Sequence, residues 1–348
     1  MLPLPTLLSQ ALVAFTIEAD YEFEQQMPHV TTEKRKVGAF SPGPWLISMP
    51  FWSMCLRHVP EAGTTVGEVL HQGFLGDSFL LGTNPGMVRW GYLRLEPGDA
   101  TSKRPTKTWL VRPSPAGLRA QQTWAPIPDL IESRWKTRWK EVQPLRRALE
   151  DLVGSLDHAL PDYVPGNASY DSRVSIPSRP PGPASGSDFA ALLAKALLQF
   201  TIEVEQAAPL AMVHAANIVR VLADGPIARR DLPRATGVGK ETLAVMVGIL
   251  QKSSILTAAA GNAVELTAAG RDGGAATFAA VANVEARWRA GGLRKVLEPL
   301  VGDGTMTASP LAVAVEPPNG TWRHDRPVPA TLPHHPVVSH RGGYPDGS

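Results

Sequence analysis

Leu7-Leu8-Ser9-Gln10-Ala11-Leu12-Val13-Ala14-Phe15-Thr16-Ile17-Glu18 returns later in the chain as Leu192-Leu193-Ala194-Lys195-Ala196-Leu197-Leu198-Gln199-Phe200-Thr201-Ile202-Glu203, with eight of twelve positions identical. Leu8, Leu12 and Phe15 fall at helical spacing, as do Leu193, Leu197 and Phe200, so each stretch predicts an amphipathic helix. Two Leu/Ala-rich helices can look alike by chance. The shared Phe-Thr-Ile-Glu instead points to an internal repeat.

Behind each opening helix the elements come in the same order. In the second copy, Met212 to Ala223 predicts a helix ended by Asp224-Gly225-Pro226. Ile227 to Ala235 predicts a short helix, Thr236-Gly237-Val238-Gly239 a turn, and Lys240 to Lys252 a helix with Leu243, Val247 and Leu250 on one stripe. Ile255-Leu256-Thr257 and Ala263 to Thr267 read as strands around the tight turn Ala260-Gly261-Asn262. In the first copy, Trp45 to His58 predicts a helix, and Thr64 is the N-cap expected for Thr65 to His71, with Glu68 in its first turn. Gly91 to Glu96 and Trp109 to Arg112 read as strands, with Pro97 to Lys107 as a long basic loop between them. Ser114-Pro115-Ala116-Gly117 then matches Thr267-Ala268-Ala269-Gly270, and long helical regions come next at Ile127 to Leu156 and Ala275 to Leu300. Helix, helix, turn, helix, hairpin is the winged-helix order. The expected fold class is mainly α with small β-hairpin wings: two winged-helix (helix-turn-helix) domains in one chain.

Composition shifts set the expected boundaries. Residues 1–157 form the first domain, and 158–187 a Pro/Gly/Ser-rich linker that includes Ser178-Arg179-Pro180-Pro181-Gly182-Pro183. Residues 188–301 form the second domain, and 302–348 a tail containing Pro and His. Within the tail, Val337 and Val338 would prefer burial, so it can dock on a domain.

The 348 residues carry 34 Lys+Arg against 32 Asp+Glu, and 43% are hydrophobic, which excludes global disorder. No apolar run reaches the ~20 residues a bilayer demands, so no membrane is expected. Met1-Leu2-Pro3-Leu4-Pro5 lacks a basic region ahead of an apolar one, so no secretory signal is expected. The single cysteine, Cys55, can make neither an internal disulfide nor a Cys-rich zinc site, which fits the cytoplasm. Gly86 to Arg147 holds 13 Lys/Arg and 5 Asp/Glu, leaving 21 basic and 27 acidic residues elsewhere. Such a basic island attracts polyanions, or is a solvated helix face. There is no Gly-rich phosphate loop, Gly-x-Ser-x-Gly elbow or His-Glu-x-x-His, so neither an enzyme nor a cofactor is expected.

The succession resembles the MarR family of winged-helix transcriptional regulators. The marks are the apolar opening helix, the helix-turn-helix, the wing and a Leu-Thr-Pro-Ala-Gly-like phrase, here Arg112-Pro113-Ser114-Pro115-Ala116-Gly117 and Leu266-Thr267-Ala268-Ala269-Gly270. The resemblance covers most of both halves but neither linker nor tail. It implies sequence-specific binding of double-stranded DNA in transcriptional regulation. Members of the family are usually homodimers with interleaved terminal helices, so it also implies a monomer acting as a pseudo-dimer. A small aromatic effector between lobe and dimer helices is a further implication.

On that reading Lys240, Glu241 and Thr242 begin the recognition helix, and Arg229, Arg230 and Arg234 on the preceding helix suit phosphates. Lys103, Arg104 and Lys107 belong to the basic wing, with Arg89 and Arg94 as further contacts. Each could instead be ordinary solvent-facing charge. Trp45 and Trp52 are the candidates for the effector site, or else core-filling residues like the other tryptophans of the first half. In the tail, His324, His334, His335 and His340 have no Cys or carboxylate at metal-ligand spacing. One departure stands out. Gly82-Thr83-Asn84-Pro85-Gly86 interrupts the first copy where a continuous recognition helix is expected, with Asn84 placed to cap a short restart. That interruption keeps open a second reading, a winged-helix scaffold that binds proteins and has lost DNA binding.

Overall fold

A computed structural model describes residues 1–29, 45–83, 85–98, 104–166, 187–288, 291–324, 328–339 and 344–347; Asn84, Lys103 and His340 lie outside the described residues. The chain is mainly helical with two small antiparallel sheets. The first half runs α1 (Leu4–Gln26), α2 (Met49–Met54), β1 (Thr64–Thr65), α3 (Val66–Gln72), α4 (Ser78–Leu81), α5 (Gly86–Arg89), β2 (Leu93–Glu96), β3 (Leu110–Pro113), α6 (Pro115–Trp124), α7 (Ile127–Arg138) and α8 (Val142–Gly154). The second runs α9 (Phe189–Ala207), α10 (Met212–His214), a π segment Ala215–Val219, α11 (Arg220–Leu222), β4 (Ile227–Ala228), α12 (Leu232–Thr236), α13 (Lys240–Lys252), β5 (Leu256–Ala259), β6 (Ala263–Leu266), α14 (Ala268–Arg287) and α15 (Gly291–Val301). A short α16 (Ala312–Val315) comes last. The sheets share one strand order, β1-β3-β2 and β4-β6-β5.

The repeated residues do the same task in each half. Glu18 accepts the indole N–H of Trp135 at 2.8 Å and a bond from Arg138. Glu203 accepts the indole N–H of Trp288 at 3.0 Å and a bond from Arg287. Phe15 lies edge-on to Trp135 at 5.2 Å, and Phe200 to Trp288 at 5.0 Å. So Phe-Thr-Ile-Glu grips a Trp and an Arg of a later helix, twice. The second phrase has a matching explanation. Ser114 and Thr267 cap α6 and α14 by accepting the amides of Gly117 and Gly270. A Cβ on Gly117 would stand 2.1 Å from the Tyr92 carbonyl, and one on Gly270 2.2 Å from that of Ile255. Only glycine lets these helices cross so close to the residue that enters the strand.

Helix α1 is buried all round: no residue from Leu4 to Tyr21 is exposed or half-buried. The expected polar face is absent because other segments surround the helix, and its polar side chains are therefore paired. α1 packs on α9, α15, α16 and α7, while α8 packs on α9 and α15. The opening and closing helices of the two halves thus interleave around one apolar core.

Several segments differ from the sequence expectation. Trp45 to His58 is not one helix: α2 stops at Met54, and a 3-10 turn, Leu56–His58, comes after it. Thr65, not Thr64, caps α3: both pair with β3, but it is the Thr65 hydroxyl that accepts the Glu68 amide. Ile227 opens a strand, not a helix, because Ile227 and Ala228 pair with Val264 and Ala263. The region from Ile127 divides at Trp139, whose extended backbone ends α7. The first residues assigned to the linker are packed: Leu160, Tyr163 and Val164 are buried, and Tyr163 shares a hydrogen bond with Thr16. The stretch read as a tail is core material. Trp322, Leu332, His334, His335, Val337, Val338 and Tyr344 are all buried. Residues 331–335 wedge between α1 and the second half: Ser9 donates to the Pro333 carbonyl, Gln10 to that of Leu332, and Asn217 accepts the amides of His334 and His335.

Candidate nucleic-acid interface

In the second half, α12 and α13 meet at a turn whose Gly237 has φ +71, a left-handed conformation that favours glycine. Its hydrogen faces the chain closely, since a Cβ there would meet the Thr331 carbonyl at 2.3 Å. Gly239 starts α13 in extended backbone, and Leu243, Met246, Val247 and Leu250 anchor the helix in the core. Lys240 and Glu241 are exposed at its first turn, with Ala244 and Val245 next on the same outer face. Thr242 is not on that face. It is fully buried, and its hydroxyl donates to the Gly347 carbonyl at 2.8 Å. The sequence placed it among base-reading residues; residues 344–347 cover it.

The arginines of this lobe are divided. Arg229 is half-buried and donates to Gln251. Arg230 is exposed, with Asp231 3.7 Å away, and Arg234 is exposed one turn on. The hairpin tip, Ala258 to Ala263, carries no charge.

In the first half, the position of α13 is taken by two short helices, α4 and α5, with Pro85 in extended backbone at the start of α5. Arg89 is exposed beside the Trp90 ring, and Arg94 is exposed on β2 opposite Arg112. Arg112 is itself drawn to Glu96 and the Ala62 carbonyl, which relieves the like-charge pairing. Lys107 pairs with Asp77 at 2.8 Å, both exposed, and Arg104 is exposed. Elsewhere the basic island is held in ion pairs: Arg134 with Glu22, Arg138 with Glu18, Lys136 and Arg146 with Glu132. Much of its excess positive charge therefore neutralises α1 and α7.

Neither Trp45 nor Trp52 lines the cavity between α1 and the second lobe. Trp52 is buried in the core, and the Trp45 carbonyl accepts the hydroxyl of Tyr92. That cavity, of about 530 Å³, is lined by Ile17, Tyr21, Arg234, Val238, Arg323 and Asp346 among others. Arg323 donates twice to Asp346, at 2.7 and 2.9 Å, and stacks on Trp322 and Tyr344. Beside it the Trp322 amide donates to Glu24. Burial pushes the Asp20 carboxyl up to about 8, although Ser48 and the Met49 amide donate to it. Sequence reasoning missed this cluster. Its Arg and Asp lie 23 residues apart within a stretch without periodicity.

His334 and His335 are buried, and burial pushes them down to about 3 and about 4. Among the described residues, no three His, Cys, Asp or Glu side chains gather as a metal site, and no helix is long and apolar enough to cross a membrane. Comparison with known proteins finds no family model, curated protein or solved structure that matches the chain.

Proposed function

We propose that this chain is a DNA-binding transcriptional regulator of MarR type. On this reading it is two winged-helix lobes fused into a pseudo-dimer that acts as a cytoplasmic monomer. The observation that carries the reading is the doubled sheet: strand orders β1-β3-β2 and β4-β6-β5, each preceded by an opening helix and succeeded by a Ser/Thr-capped helix with glycine at its third position. The second lobe is the reader. Lys240 and Glu241 face outward at the start of α13, and Arg230 and Arg234 flank them toward phosphates. The first lobe, with its interrupted helix, contributes backbone contacts through Arg89, Arg94 and Arg104. A small aromatic effector would enter the cavity at Tyr21 and Arg323.

Salt tests this directly. Binding to duplex DNA should weaken steeply as salt rises, because each neutralised phosphate releases counterions. Replacing Lys240 and Arg230 by Ala should weaken binding by about tenfold or more and flatten the salt slope. Affinity unchanged by both salt and substitution would exclude phosphate contacts at α13. One observation favours the second reading, a protein-binding scaffold: Ala244 and the exposed Val245 make the outer face of α13 apolar past its first turn. Salt-independent capture of a protein partner through Val245, without DNA binding, would favour it.

A further inference from the structure

The start of α13 is occupied. The Gly239 amide donates to the Asp346 carbonyl at 2.8 Å, and one turn on the Thr242 hydroxyl donates to the Gly347 carbonyl at 2.8 Å. Both acceptors belong to one short segment, residues 344–347, which the rest of the chain holds in place. Arg323 grips the Asp346 carboxylate with two bonds, and Trp322 donates to the Tyr344 hydroxyl at 2.9 Å. The Pro345 carbonyl accepts the Val337 amide at 2.8 Å. Gly347 sits at φ +69, and a Cβ on it would stand 2.9 Å from the Cβ of Thr242. An amide and a hydroxyl at the positive end of a 13-residue helix are donors that a DNA phosphate accepts when a recognition helix docks. Here peptide carbonyls of the same chain hold them.

We propose that Tyr344–Gly347 is an autoinhibitory strap that competes with duplex DNA for the N-terminal turn of α13. The proposal rests on the DNA-binding reading of the second lobe. Docked, the strap withholds two donors and ties the lobe to α1 through Arg323, Trp322 and Glu24. Released, it returns both donors and lets α13 settle into a groove.

Two variants of the full chain test this in opposite directions. Gly347→Val removes the fit of the strap tip against Thr242. It lies outside every helix and strand and leaves the Arg323–Asp346 pair intact, so the fold survives. The pair Thr242→Cys and Gly347→Cys lets a disulfide lock the strap; disulfide Cβ atoms lie about 3.8 Å apart, within a small adjustment of the present spacing. The native Cys55 is fully buried and does not compete. Binding is read by fluorescence anisotropy on a mixed-sequence duplex of about 30 base pairs, three helical turns. Gly347→Val should tighten binding by about tenfold, and the oxidised Cys pair should bind about tenfold more weakly than the same protein reduced. If the wild type binds with a steep salt slope but either arm leaves affinity unchanged, the strap is not inhibitory and the DNA reading stands. If wild type, Gly347→Val and reduced pair all fail to bind duplex at low salt, the DNA reading falls and the strap proposal with it.

Discussion

Glu18 and Glu203 sit at equivalent points of the repeat but in different surroundings. Glu18 is buried, whereas Glu203 is half-buried. Removing Glu18 leaves the indole N–H of buried Trp135 without its acceptor and takes a carboxylate from Arg138. A buried donor stranded this way costs about 1–3 kcal/mol. At Glu203, water can replace the lost acceptor. Glu18→Ala should therefore lower unfolding free energy by about 2–3 kcal/mol, and Glu203→Ala by less than about 1. Urea unfolding of the two variants checks this, and equal losses would contradict it. At this scale the sequence was informative where chemistry is local. Phe-Thr-Ile-Glu announced a repeat, and the matched phrases at Ser114 and Thr267 announced it again, though their capping role shows only in the structure. The partners Trp135 and Trp288 lie many residues downstream, and no spacing rule points to them.

Among the elements, α13 was legible to the residue because its apolar stripe is regular and Gly239 stops the preceding turn. The strand β4 was not, since it has two residues and exists only by pairing with β6. Docking of the tail was expected from Val337 and Val338 and is observed, but the place taken by residues 331–335 was not legible. They form no regular structure, so periodicity says nothing, yet they fill the seam between α1 and the π segment. Asn217 holds them with both ends of its amide: Oδ1 accepts the His334 and His335 amides and Nδ2 donates to the His335 carbonyl. The wedge should make the fold acid-sensitive. Folded His334 and His335 protonate only near 3 and 4, while unfolded histidine does so near 6.5. Their folded values are depressed, so their contribution is complete above 6.5 and is lost as pH falls toward 4. The loss is up to about 1.4 kcal/mol per pH unit for each. Asp20 runs the other way. Its raised value means that its contribution is present below the unfolded 3.8 and lost as pH rises toward 8. Comparison with a variant isolates the histidines. Between pH 7 and pH 5, wild type should lose about 4 kcal/mol more than His334→Gln/His335→Gln. Parallel stability curves for the two proteins would show that neither imidazole is held neutral.

For the molecule as a whole, the repeat explains the clasp. Each half offers apolar opening and closing helices that a single lobe cannot cover, and α1, α8, α9 and α15 cover one another. The sequence made the two halves visible but not their mutual dependence, because burial of α1 on every side involves segments from Glu18 to His335 that meet only in three dimensions. The apolar core runs through both halves without a break among the described residues. Separation should therefore be costly, at about 25 cal/mol for each Å² of apolar surface returned to water. A protease site placed between Ser175 and Ile176 tests this, since it cuts the chain between the end of α8 and the start of α9. After cleavage the two pieces should remain together as one particle of 37.3 kDa, the mass of a single uncut chain, in size-exclusion chromatography with light scattering. They should come apart only in denaturant, and in one transition, because the surfaces that hold the halves together are the surfaces that hold each half folded. Fragments 1–175 and 176–348 that separate at neutral pH and each keep a cooperative unfolding transition would show two independent domains, and the pseudo-dimer would then be a tandem array.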